Sequence, residues 1–186
     1  TPPPVQPTPP PGPPPSPPAP PPTPPPFPVP TPKPVQPTPP PGPAPGPDTR
    51  YLRFVTVKTS SGDRPVQISE FMVGAAGGDW FTVSAATNPG GDNPADGAPA
   101  QAIDHNLDTK WMDGNALPII FDFGASSRLK DLAEYTFATA VDAPERDPVR
   151  WLLQSATTAD GPWTTVDART TGDFPTPTDR KKYIMP

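Results

Sequence analysis

Proline limits what this chain can fold into more than any other residue, and it is unevenly placed: 29 of the 40 prolines fall in residues 1–47 and 11 in residues 48–186. Each proline fixes φ near −65° and biases the residue before it toward the same extended region. Almost every position of 1–47 is a proline or precedes one. That stretch is therefore expected to form an extended polyproline II arm, left-handed, with roughly three residues per turn and a reach of about 145 Å. It carries a single charge, Lys33, and only Val5, Phe27, Val29 and Val35 as larger apolar side chains. Burial cannot offset the ordering of such a chain, so collapse into a core is excluded. Gly12, Gly42 and Gly46 are its expected soft points.

The arm is internally repeated. PVQPTPPPGP occurs at Pro4–Pro13 and again at Pro34–Pro43, and the longer stretches Thr1–Pro13 and Thr31–Pro43 differ only where Pro3 becomes Lys33. Units reading TPPP-x-P start at Thr8, Thr23 and Thr38, fifteen residues apart. Fifteen is a multiple of three, so equivalent side chains return to one face of the rod, about 46 Å further along. Slippage of a low-complexity gene segment also produces tidy repeats. A surface read by a partner adds a reason for the constant phase.

Residues 48–186 are a different polymer. They hold every Trp, every Tyr and seven of the eight Phe, enough for one domain with a real core. Their net charge of −6 argues against nucleic acid or an anionic membrane as partner. Cysteine is absent, so neither a disulfide nor a thiolate is available. The longest apolar run, Ala116–Phe121, contains Pro118 and is far too short for a membrane span.

Short strand-like segments punctuate this half: Tyr51–Lys58, Val66–Val73, Ile119–Phe123, Tyr135–Ala140, Val149–Gln154 and Trp163–Asp167. Ile119, Phe121 and Phe123 alternate onto one face, as do Val149, Trp151 and Leu153. Turn-rich stretches such as Asn88–Pro99 and Asp142–Pro148 separate them, and no long helical pattern competes. The expectation is an all-β domain, an antiparallel β-sandwich of jelly-roll type.

Two resemblances sharpen this. The arm, with TPPP at Thr1, Thr8, Thr23 and Thr38, SPP at Ser16, AP at Ala19 and Ala44 and TP at Thr31, resembles the hydroxyproline-rich glycoproteins of plant and algal walls, the extensin and pherophorin class. Its proline runs never exceed three, unlike the longer blocks of extensins. The resemblance implies hydroxylation and O-linked glycans at Pro2, Pro3, Pro4, Pro9, Pro10, Pro11, Pro17, Pro18, Pro20, Pro24, Pro25, Pro26, Pro32, Pro39, Pro40, Pro41 and Pro45. It also implies an extracellular location, in a wall, on a cell surface or in a secreted fibre.

The second half resembles the discoidin, or coagulation-factor type C, domain of the galactose-binding-like superfamily. The resemblance runs through RFVTVKTSSGDRPVQISEF, AIDHNLDTKW, IIFDFG, YTFATAVDAPERDPVRWLLQ and GPWTTVD. His105 stands where that family commonly has glycine. The likeness implies a non-catalytic scaffold that binds sugars, lipid head groups or proteins with loops at one end. It also implies a structural calcium ion held by Asp104, Asn106, Asp108 and Thr109, whose oxygens suit a hard cation; the alternative is that these residues merely close a tight turn. Trp80 in GGDWF is the candidate sugar platform, with Arg146 and Arg150 as polar partners; the alternatives are a Trp80 ring buried under its loop and a salt-bridged turn around Pro148. Trp111 and Trp151 match core positions and Trp163 opens a strand.

With one histidine, His105, in a structural loop and no thiol, the chain lacks an evident catalytic set and is not expected to be an enzyme. Two expectations remain. The chain is a filament subunit whose rod docks on neighbouring sandwiches, or a carbohydrate-binding adhesin whose stalk is a spacer. A ligand for SH3, WW or profilin domains fits less well, because only Lys33 could supply the flanking cation.

Overall fold

The computed structural model describes residues 42–62, 64–125, 127–170 and 180–184. These residues belong to one compact unit, Gln36–Pro186. The polyproline II conformation expected over residues 1–41 lies outside the described residues, as do all the glycosylation candidates except Pro45.

Eleven strands make up the described fold: β1 Tyr51–Thr59, β2 Val66–Ile68, β3 Glu70–Ala75, β4 Asp79–Trp80, β5 Ala85–Thr87, β6 Trp111–Asp113, β7 Ile119–Asp122, β8 Glu134–Ala138, β9 Pro148–Ala156, β10 Thr164–Arg169 and β11 Arg180–Ile184. Every strand pairing is antiparallel. A five-stranded sheet runs β10-β9-β1-β7-β5, a four-stranded sheet runs β11-β8-β3-β4, and β2 pairs with β6. Among the described residues, helix is confined to short 3₁₀ turns at Pro99–Ala102, Leu129–Asp131 and Pro144–Arg146. Among the described residues, no helix is long and apolar enough to cross a membrane.

Alternation builds the core. In β1 the buried Leu52 and Phe54 face inward, in β7 Ile119 and Phe121 do, and in β9 Trp151 and Leu153 do. From the four-stranded sheet Phe71, Val73, Tyr135 and Phe137 meet them. Phe54 lies 5.2 Å from Phe137 edge-on, Phe71 stacks on Phe121 at 4.3 Å, and Phe137 meets Trp151 edge-on at 5.0 Å. These offset and T-shaped pairs let ring edges meet ring faces between the two sheets.

A hydrogen-bonded chain ties the same sheets together. The Trp151 indole N–H donates to the Tyr135 hydroxyl at 2.9 Å, which donates to Asp167 at 2.6 Å. Arg169 completes the chain at 2.7 Å. Burial first, then the Asp167 charge, pushes the Tyr135 phenol well above its ordinary pKa.

One segment departs from the sequence expectation. Val66–Val73 reads as one strand but is two. Val66–Ile68 pairs with Trp111–Asp113, while Glu70 onward pairs with β8, with Ser69 between them. Period-two alternation records which face is buried, but not which strand lies alongside. The strands at Asp79, Ala85, Trp111 and Arg180 were not expected, and three of them span three residues or fewer, too few to show a period.

Candidate functional site

The most distinctive exposed surface forms around Trp80. Gly77 and Gly78 take φ values of 90° and 86°, which side-chain-bearing residues rarely adopt, and so allow β3 to reverse tightly into β4. A Cβ at Gly74 would meet the Asp79 carbonyl at 2.6 Å, so close strand approach also requires glycine there. The result is a two-residue edge strand that leaves Trp80 36% exposed. The next residue, Phe81, donates its N–H to Val73 O at 2.8 Å and turns its ring inward.

Arg128 closes one side of this edge. Its guanidinium lies 4.8 Å over the Phe81 ring and donates to Asp79 at 2.7 Å. That hydrogen bond, more than the charge itself, holds the Asp79 carboxyl below its usual range and raises Arg128. Both side chains are exposed, so the pair adds little stability, but it fixes the guanidinium on the ring face. Trp80 stands between two hollows. One, of about 270 Å³, is lined by Phe81, Thr82, Ser84, Phe123, Ser127 and Arg128; the other, of about 190 Å³, includes Phe71, Met72, Ile103 and His105. Aromatic faces flanked by hydroxyls suit ring-shaped ligands with apolar faces and polar rims, whether sugar or pyrrolidine.

Arg146 and Arg150, expected to act with Trp80, line neither hollow. The Arg146 guanidinium contacts the Met112 sulfur at 3.5 Å and Glu145 at 3.8 Å, and Arg150 donates to the Val149 carbonyl. The sequence could not have supplied the true neighbours of Trp80, because Arg128 lies 49 positions from the Asp79 it bonds.

Asp104, Asn106, Asp108 and Thr109 are brought together. Asp104 accepts from the Asn106 N–H at 2.9 Å and from the Thr109 hydroxyl at 2.6 Å, and Asn106 Oδ1 accepts from the Asp108 N–H at 3.0 Å. These bonds close a tight acidic turn from within. Among the described residues, no three His, Cys, Asp or Glu side chains gather closely enough to hold a metal. His105 sits in this turn at φ 61°, the left-handed region that explains why glycine would suit the position.

Sequence reasoning missed Asp113, which is fully buried and accepts from the N–H groups of Asp92 (2.6 Å), Asn115 (3.0 Å) and Leu117 (2.7 Å). It pins the 88–97 loop to the 113–118 segment. Asp147, also buried, is pushed up to about 6, chiefly by desolvation and against the Gln67 hydrogen bond.

The end of the proline-rich stretch packs onto the domain. Gly42 lies against β10 so closely that a Cβ there would strike the Thr165 carbonyl and approach the Val166 Cα at 2.9 Å. Pro45 is buried, whereas Pro43 and Pro47 are exposed. A glycan on Pro45 has no path to solvent unless the segment is displaced. Further on, Pro47, Arg50 and Ser127 line a shallow hollow of about 200 Å³, and Ser127 also lines the Trp80 hollow. No protein family matches the chain, and no match was found among curated proteins or among solved structures.

Proposed function

We propose that this chain is a non-catalytic, extracellular structural glycoprotein. In this reading the proline-rich segment is O-glycosylated on hydroxyproline, as in the extensin and pherophorin class it resembles. The segment docks on the discoidin-like β-sandwich of neighbouring copies and so builds a filament. The observation that carries the reading is the seat on β10, where Gly42, a glycine of the repeat, meets the strand, with Pro45 buried three residues beyond it. A proline-rich strand offers carbonyls and ring faces but few N–H donors, so close apolar packing is the natural way to hold it. Rod-to-head contact between copies is heterologous, and where the rotation does not close it extends without limit.

Electron microscopy of native material tests this, together with its intact mass against the 19.6 kDa of the bare polypeptide. Filaments and a mass raised by hydroxyproline glycans are expected. Isolated particles of unmodified mass refute the reading.

A second reading, a carbohydrate-binding adhesin with a stalk as spacer, draws on Trp80, whose exposed ring lies beside Arg128, Thr82 and Ser84. It predicts glycan-array binding that Trp80→Ala removes.

A further inference from the structure

A hollow of about 330 Å³, used by neither reading above, is lined from the 94–97 turn, the 104–109 turn and the 140–142 segment. Three carboxylates, Asp96, Asp108 and Asp142, and one ammonium, Lys110, stand in its wall. Lys110 is already engaged, donating to both carboxylate oxygens of Asp142. Asp108 joins its turn only through its N–H, which donates to Asn106 Oδ1. Among the described residues, the Asp96 and Asp108 carboxylates make no hydrogen bond or ion pair, so two negative charges are left uncompensated. Ser69, at the break between β2 and β3, lines the same hollow. It is 0% exposed, and among the described residues its hydroxyl has no partner, although its N–H donates to Ala138 O at 2.9 Å. Buried hydroxyls are normally paired, so an open one in the wall of a hollow marks a place for a ligand atom. Val141, 58% exposed, and the buried Ala140 add an apolar strip. Gln67 fixes the end of this strip by donating to the Asp142 and Ala143 carbonyls.

We infer that this hollow binds an alkylammonium group, a primary amine on a short methylene stem, as a free amine or a lysine side chain of a partner protein supplies. Other ligand classes fit the wall poorly. An anion meets two open carboxylates, and the one cation there is held by Asp142. A neutral ligand covering Asp96 and Asp108 takes their charges out of water with nothing opposite them. Among the described residues, no three His, Cys, Asp or Glu side chains gather closely enough for a metal. An ammonium brings a compact positive charge and three donors, and Asp96, Asp108 and the Ser69 hydroxyl are acceptors around one hollow. Its methylenes lie on Ala140 and Val141, as lysine stems do on apolar surface. Trp80 lines other hollows, so this site stands apart from the sugar reading, and it does not depend on assembly.

Titration of the full, isotope-labelled chain tests the site, with backbone amide shifts followed by NMR in the presence of EDTA. Both n-butylamine and Nα-acetyl-lysine methylamide are expected to shift the Thr109, Lys110 and Val141 amides, saturating at millimolar concentration and weakening as salt rises. Saturation by butylamine shows that a free amine suffices, and saturation by the lysine derivative alone assigns the site to a protein side chain. The Nε-acetylated derivative, which lacks the charge, is expected to bind at least tenfold more weakly. Asp96→Asn combined with Asp108→Asn is expected to weaken both amines as much while leaving thermal melting unchanged, because neither carboxylate holds the fold. Ser69→Ala is expected to weaken them severalfold. Equal binding of the acetylated probe, no saturable shift with either amine, or affinity unmoved by Ser69→Ala or by the double variant overturns the site.

Discussion

Replacing Tyr135 with phenylalanine isolates a hydrogen-bonded chain that crosses between the two sheets. The ring keeps its place against Phe71, 6.3 Å away, so packing is conserved and only the hydroxyl is lost. Two bonds go with it, the 2.6 Å donation to Asp167 and the 2.9 Å acceptance from Trp151. A bond to a charged acceptor contributes about 1.5–3 kcal/mol, and a buried N–H that loses its acceptor costs about 1–3 kcal/mol. Asp167 retains Arg169 at 2.7 Å and the Ala168 N–H at 2.9 Å, which offsets part of the first loss. The net expected destabilisation is about 3 kcal/mol, or a fall in Tm of about 10 °C for a domain of this size.

Urea unfolding followed by tryptophan fluorescence measures it, with the midpoint falling and the slope unchanged. Asp167→Asn combined with Tyr135→Phe is expected to show a coupling of about 1–2 kcal/mol. The raised phenol adds a pH signature: its stabilisation is present below pH 10 and is lost as the pH climbs through the folded value, a limb that Tyr135→Phe lacks. A loss below about 0.5 kcal/mol, with no coupling to Asp167, refutes the claim that this chain of bonds holds the sheets together.

Four further outcomes are expected. His105→Gly relieves a left-handed φ of 61° that costs about 1–2 kcal/mol, less the added freedom of the unfolded chain, so urea titration finds a net gain of about 0.5–1 kcal/mol. Asp147, raised to about 6 by burial, favours folding most below its unfolded value, and that contribution is lost as pH rises through about 6. Asp147→Asn therefore flattens stability between about pH 4 and 7 and exceeds wild type at pH 7 by roughly 1–3 kcal/mol in melts across that range. Asp113→Ala strands three backbone donors, and thermal denaturation is expected to register a loss of more than about 3 kcal/mol. Because the 104–109 turn closes on its own groups, calcium and EDTA are expected to shift Tm by no more than about 1 °C. A calcium-dependent rise of several degrees assigns Asp104, Asn106, Asp108 and Thr109 to the ion.

Much of the fold is local chemistry written into short words. Ile119-Ile-Phe121 and Trp151-Leu-Leu153 bury alternate residues because pleating sends neighbours to opposite faces. Trp111 and Trp151 are core residues, at 0% and 1% exposure, as expected. The candidate surface was only half legible. GGDWF marks Trp80 as a candidate platform without deciding between an exposed ring and one buried under its loop, and Arg146 and Arg150 stood in for Arg128 because nothing local reports which distant cation reaches a ring.

By itself, the amino-acid order predicted an extended, coreless arm over residues 1–47 and antiparallel strands beyond it, and the described residues of the second part do form antiparallel strands. Both follow from φ restriction and period-two alternation, which act between adjacent residues. Only the tertiary structure decided that β2 and β3 part company at Ser69, that Asp113 gathers three donors, and that Gly42 reaches the bulge of β10. Those outcomes depend on which segments, tens of residues apart, come within van der Waals distance, and pairing across a sheet leaves no imprint on either strand alone.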